Sequence, residues 1–75
     1  MNVHQNTEHL QSWHLGSAVE LGRACNEACD TVRRDGGDPH TVFVQVADGT
    51  DQPNLAQLHK RTLTDGSFVY DLVVQ

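Results

Sequence analysis

The chain has 75 residues, with ten acidic against five basic side chains and a net charge of −5. A domain of this length buries only about 60% of the surface its unfolded form exposes, so one thin core is expected over residues 1–75 and no second domain. The acidic balance works against phosphate backbones and anionic membrane surfaces, and no apolar run approaches the ~18 residues of a transmembrane helix.

Residues 1–6 read as a frayed tail. Thr7 is placed to cap a short helix over residues 8–15, with Leu10 and Trp13 three apart on one face and Gly16 closing it. The clearest segment follows. Ser17 with Glu20 three positions on is a capping box, which predicts a helix over residues 18–35. Ala18, Leu21, Cys25, Ala28, Cys29 and Val32 recur at helical spacing, forming a narrow face of small side chains suited to close packing on a sheet. Arg33 and Arg34 complement the helix dipole, and Gly36-Gly37 ends the helix.

Residues 41–47 alternate Val42, Val44 and Val46 against Thr41, Phe43 and Gln45, the pattern of a strand with one strongly apolar face. Asp48-Gly49 is a turn signal before a polar loop over residues 50–54. Residues 55–63 fit either of two forms. Their helix propensity allows a short helix over 53–62, whereas Asp65-Gly66 has the core of a two-residue hairpin turn. The hairpin sets Lys60 opposite Asp71, Leu58 opposite Val73 and Thr62 opposite Val69.

Residues 67–74 form the last strand in either case. The expected architecture is α+β: one long helix on a three-stranded antiparallel sheet of residues 41–47, 55–63 and 67–74. In a simple meander the last strand lies at an edge, where Phe68, Tyr70, Leu72 and Val74 on one side and Val69 and Val73 on the other leave only Asp71 to discourage pairing. Strand addition there, to a second copy or another protein, is the expected consequence.

Chemical motifs are sparse. His4, His9 and His14 recur every five residues, a spacing that on a helix puts neighbours about 140° apart, and no second cysteine pair joins Cys25 and Cys29. Both cysteines fall on the buried face of the predicted helix, where a free thiol behaves as a small hydrophobe. Cys25, His14 or His59, and Asp30 assemble into a nucleophilic set only by assumption. The glycines form no phosphate-binding loop, and Asp35, Asp38, Asp48 and Asp51 miss the calcium-loop register. Arg33-Arg34 and Lys60-Arg61 have no interleaved aromatics for stacking bases.

Elimination therefore favours a cytoplasmic, non-enzymatic protein-binding module without a cofactor: an inhibitor, adaptor or regulator of the accessory-protein type found in bacteria, phages or mobile elements. Another protein is the expected partner, with a homodimer supplying the staple that so small a core needs. Trp13, Tyr70 and Asp71 are the expected contacts, with Asp48 and Asp51 as a charged second patch. Two alternatives belong to other classes: a metal- or ligand-binding domain using His9, His14 and Cys25, and a self-assembling structural subunit.

Overall fold

Residues 7–47 and 54–75 are described by the computed structural model. The tail expected over residues 1–6, the Asp48-Gly49 turn, and Asp48 and Asp51 lie outside the described residues. The chain runs β1 (Thr7–His14), α1 (Ala18–Arg34), a single 3-10 turn (Pro39–Thr41), β2 (Val42–Val46), β3 (Leu55–Thr62) and β4 (Phe68–Val74). The α+β class is as the sequence suggests. The sheet differs, being four-stranded and mixed in the order β1-β3-β4-β2. β3 pairs antiparallel with both β1 and β4, while β2 pairs parallel with β4.

The segment expected as a helix over residues 8–15 is the strand β1. His9 faces His59 and Gln11 faces Leu58, which leaves Leu10 as the extra residue of a β-bulge. The bulge shifts the alternation by one, so the strand's period of two is invisible in the sequence. Beyond the bulge, Gln11 and Trp13 look toward α1 and Ser12 and His14 look away. Gln11 accepts a hydrogen bond from the Thr31 hydroxyl on α1 at 2.8 Å, which ties the strand to the helix.

Helix α1 begins where predicted, by a different cap. Ser17 is extended and its hydroxyl makes no capping bond, and the Glu20 carboxylate instead accepts from the Gly16 N–H. At the other end Gly36, at φ 86°, closes a Schellman motif in which Gly37 N–H donates to Val32 and Gly36 N–H to Arg33. The helix buries Ala24, Ala28 and Val32 against Ala56 and Leu58 of β3 and Tyr70, Leu72 and Val74 of β4, with Leu15 completing the core. Ala24 joins the face predicted from sequence, and Cys25 and Leu21 flank it. Small side chains at 24 and 28 allow the close approach of helix and sheet.

The β3–β4 hairpin is present and the helix over 53–62 is not, but the register differs by one residue from expectation. Lys60 faces Tyr70, Leu58 faces Leu72 and Thr62 faces Phe68. The turn holds three residues rather than two. Leu63 N–H donates to Ser67 O and Gly66 N–H to Leu63 O, with Gly66 at φ 89° and the Asp65 carboxylate accepting from Ser67. This is a type I turn with a left-handed third residue. A one-residue slip would have sent Leu58 and Ala56 to the wrong side of the sheet.

β4 is interior, not an edge. Tyr70, Leu72 and Val74 are buried under α1, while Val69 and Val73 on the helix-free side are only half-buried. With β3 and β2 on its two edges, the expected pairing site along residues 68–74 does not exist in this topology.

Candidate interaction edge on β2

A four-stranded sheet has two edges, and here they are β1 and β2. β1 carries the bulge at Leu10 and the charge of Glu8, both features that discourage a further strand. β2 reads Val42-Phe43-Val44-Gln45-Val46, with no charge, proline or glycine. Among the described residues no strand pairs with its outer edge.

Its side chains are open on both sides. Val44 and Val46 are 53% and 58% exposed on the helix side of the sheet, and Phe43 is 51% exposed on the other. The cause is the position of α1, which packs over β3 and β4. Val42 is the only β2 residue that reaches the core.

Two polar networks hold the interior strands on which β2 rests. At the C-terminal end of α1, the Asp35 carboxylate accepts from Lys60 Nζ and from the Tyr70 hydroxyl, each at 2.8 Å. The Lys60 bond, with the Tyr70 bond second, holds the Asp35 carboxyl below its ordinary pKa, and the same Lys60–Asp35 bond raises the lysine. Burial, and then the bond to Asp35, pushes the Tyr70 hydroxyl up. Lys60 also lies 4.1 Å from the centre of the Phe68 ring. An open depression of about 290 Å³ beside it is lined by Thr7, Glu8, Lys60, Thr62 and Phe68, but its one cation is already neutralised by Asp35.

The second network lies on the helix-free side, where Arg61 donates to Asp71 at 3.1 Å and Gln45 of β2 donates to it at 3.2 Å. Gln45 thus fixes the edge strand to β4 through a side chain as well as the ladder.

The residues singled out from sequence fall in separate places. Tyr70 is 1% exposed and Asp71 9%, both interior, so the surface role expected of them rested on an edge that β4 does not form. Trp13 is half-buried against the core, its indole N–H buried without an acceptor among the described residues. His9 and His14 lie on the helix-free side, where His9 stacks near His59 at 5.2 Å and bonds Ser12, whereas Cys25 lies on α1, partly buried against the core. The sheet separates them. Among the described residues no three His, Cys, Asp or Glu side chains form a metal-holding group. Burial, with the neighbouring Cys29 second, raises the Cys25 thiol.

The residues that sequence reasoning missed are Val44, Val46 and Phe43. The signal was available, since the test of charge and proline applied to residues 68–74 gives a stronger result for residues 42–46. Among the described residues no helix is long and apolar enough to cross a membrane. In comparison with known proteins, no family model matches the chain, and neither a curated relative nor a similar solved structure is found.

Proposed function

We propose that this chain is a non-enzymatic protein-interaction module that works by β-strand addition along the outer edge of β2. The observation that carries the reading is the contrast between the two edges: β1 bulged and charged, β2 regular and uncharged, with exposed valines on the helix side and an exposed Phe43 on the other. In strand addition the main chain supplies affinity and alternate side chains supply selectivity. Here Val44 and Val46 select apolar side chains on the helix side, and Phe43 does so on the other. By occupying a partner's strand the module acts as an adaptor or inhibitor.

A Lys-flanked Thr-Val-Thr-Val-Thr peptide, a strand former without its own fold, tests the edge. Titrated into the labelled protein, it is expected to shift the amide resonances of residues 42–46 and to slow hydrogen exchange at Val44 and Val46. Shifts confined to β1 or to the helix-free sheet side would overturn the reading, as would an unchanged response in Val44→Lys.

A further inference from the structure

Resting on that edge reading, the geometry points to a second copy of this chain as the strand that β2 accepts, in an antiparallel two-fold pair with Val44 on the axis.

The backbone fixes which groups are available. Ala47 N–H donates to Val74 O at 2.9 Å, so positions 43, 45 and 47 turn their amide groups toward β4 and positions 42, 44 and 46 turn theirs outward. The Val42 N–H is already given to Pro39 O in the 3-10 turn. Outward donors are therefore Val44 and Val46, and outward acceptors are the carbonyls of Val42, Val44 and Val46.

An axis at Val44 uses both donors. Val44 N–H of each copy reaches the Val44 carbonyl of the other, and Val46 N–H reaches the Val42 carbonyl, for about four hydrogen bonds in all. Moving the axis to Gln45 keeps as many bonds but takes Val42 out of register and sets Gln45 against itself. With Val44 on the axis, Val42 meets Val46, Val44 meets its own copy and Phe43 meets Gln45. The five residues are self-complementary in a way that a two-fold interface requires.

Charge favours the same occupant. The chain carries −5 overall, yet none of it lies in Val42–Val46, so two copies meet without placing like charges opposite each other. α1 does not obstruct the approach, since it sits over β3 and β4. The product is one continuous eight-stranded sheet with both helices on the same side and a valine stripe between them. A contact of five residues per copy falls below the ~1,200 Å² of a standard interface, in the size class of weak, transient pairings, so the association is looked for at high protein concentration.

Sedimentation equilibrium from 5 to 500 μM reads the association. The wild type is expected to move from 8.3 kDa toward twice that mass, while Val44→Lys, which puts two ammonium groups at the axis, stays monomeric with an unchanged helix signal. Mixing Val44→Lys with Val44→Glu is expected to restore the dimer. Independently, in a Cys25→Ser/Cys29→Ser background, Val44→Cys should cross-link across the axis under mild oxidation. Phe43→Cys, which faces Gln45, should not. A wild type that stays at 8.3 kDa throughout overturns self-pairing. If the Thr-Val peptide still adds to β2 in that case, strand addition itself survives; if neither occurs, both fall. A dimer that persists in Val44→Lys and fails to cross-link at position 44 also overturns the proposal.

Discussion

Gly37 is where the helix cap, the core and the Asp35 network meet, and Gly37→Ala tests that junction. A β-carbon at position 37 would lie 2.7 Å from Cε1 and 2.8 Å from Cζ of Tyr70, well inside contact distance. The ring can retreat only by disturbing its packing, because Tyr70 is 1% exposed and sits in the core. Overpacking of this kind costs about 1–3 kcal/mol. Displacing the ring also weakens the Tyr70–Asp35 bond, adding about 1 kcal/mol for a partly exposed acceptor. Loss of glycine's freedom in the unfolded chain offsets about 0.4–1 kcal/mol. The expected net loss is roughly 1–4 kcal/mol, centred near 2, a large share of the ~4–11 kcal/mol total for a domain this size. Urea unfolding followed by circular dichroism should show the midpoint falling by about 2 M at an unchanged slope of ~1 kcal/mol per M. Gly36→Ala is the control: it adds a β-carbon into open space and costs only the strain of its positive φ, about 1 kcal/mol. Tyr70→Phe in the Gly37→Ala background should recover part of the loss, since it removes the atom nearest the new carbon. Equal effects at 36 and 37, or strict additivity of Gly37→Ala with Tyr70→Phe, would refute the reasoning.

Three further outcomes are expected. Asp35→Asn should lower stability across neutral pH, and the deficit should shrink at both ends. Asp35's depressed pKa stabilises the fold above its ordinary 3.8 and is lost as pH falls below that value, while the raised Tyr70 and Lys60 stabilise below 10.0 and 10.5 and are lost as pH rises past them. Urea midpoints of both proteins from pH 2.5 to 11 check this, and a deficit that is constant at both ends contradicts it. Arg61→Met should cost about 1–3 kcal/mol because it strips Asp71, 9% exposed, of its charged partner, whereas Asp71→Asn should cost less, a difference readable by the same unfolding assay. Cys25 should react with a thiol reagent more slowly than a free cysteine at pH 8, since its raised pKa keeps it protonated, and a rate equal to that of free cysteine would count against that assignment.

Local signals in the sequence are sufficient for α1 and β2, whereas residues 55–63 fit a helix as well as the β3 strand that the structure shows. Helical spacing from Leu21 to Val32 and the Gly36-Gly37 stop act within one element, and the structure keeps them. The exceptions are non-local or single-residue events. β1 is hidden by the bulge at Leu10, and its pairing with β3 overrides the propensity of residues 8–15. The hairpin register turns on one residue, Gly66, whose positive φ makes a three-residue turn from what reads as a two-residue one. Strand order is not written in any one element: Tyr70, Leu72 and Val74 under the helix, with half-buried Val69 and Val73 on the helix-free side, suit a strand flanked by neighbours on both edges, which a meander places at the rim. The meander puts Tyr70 and Asp71 on a surface, whereas partners distant in sequence, Asp35, Gln45 and Arg61, hold them inside.

The exposed valines of β2 follow from the width of the cover rather than from any defect in the strand. A 17-residue helix is about 26 Å long and about 10–12 Å across, so it shields the length of these strands but only two or three of four at ~4.8 Å spacing. One side of the sheet must go uncovered, and polar ties decide which. Gln11–Thr31 holds α1 toward β1, and Asp35 binds its C-terminal end to Lys60 on β3 and Tyr70 on β4. No comparable bond draws the helix over β2 among the described residues. On β1 the half-covered positions are filled by Trp13, Leu10 and Gln11, which reach under the helix. On β2 they are filled by valine, too short to reach and too apolar to be well solvated. A strand meant to end the sheet could carry threonine or lysine at positions 44 and 46 with no loss of core contact. Valine at both positions, exposed beside the helix among the described residues, is the feature on which the proposal of strand addition rests.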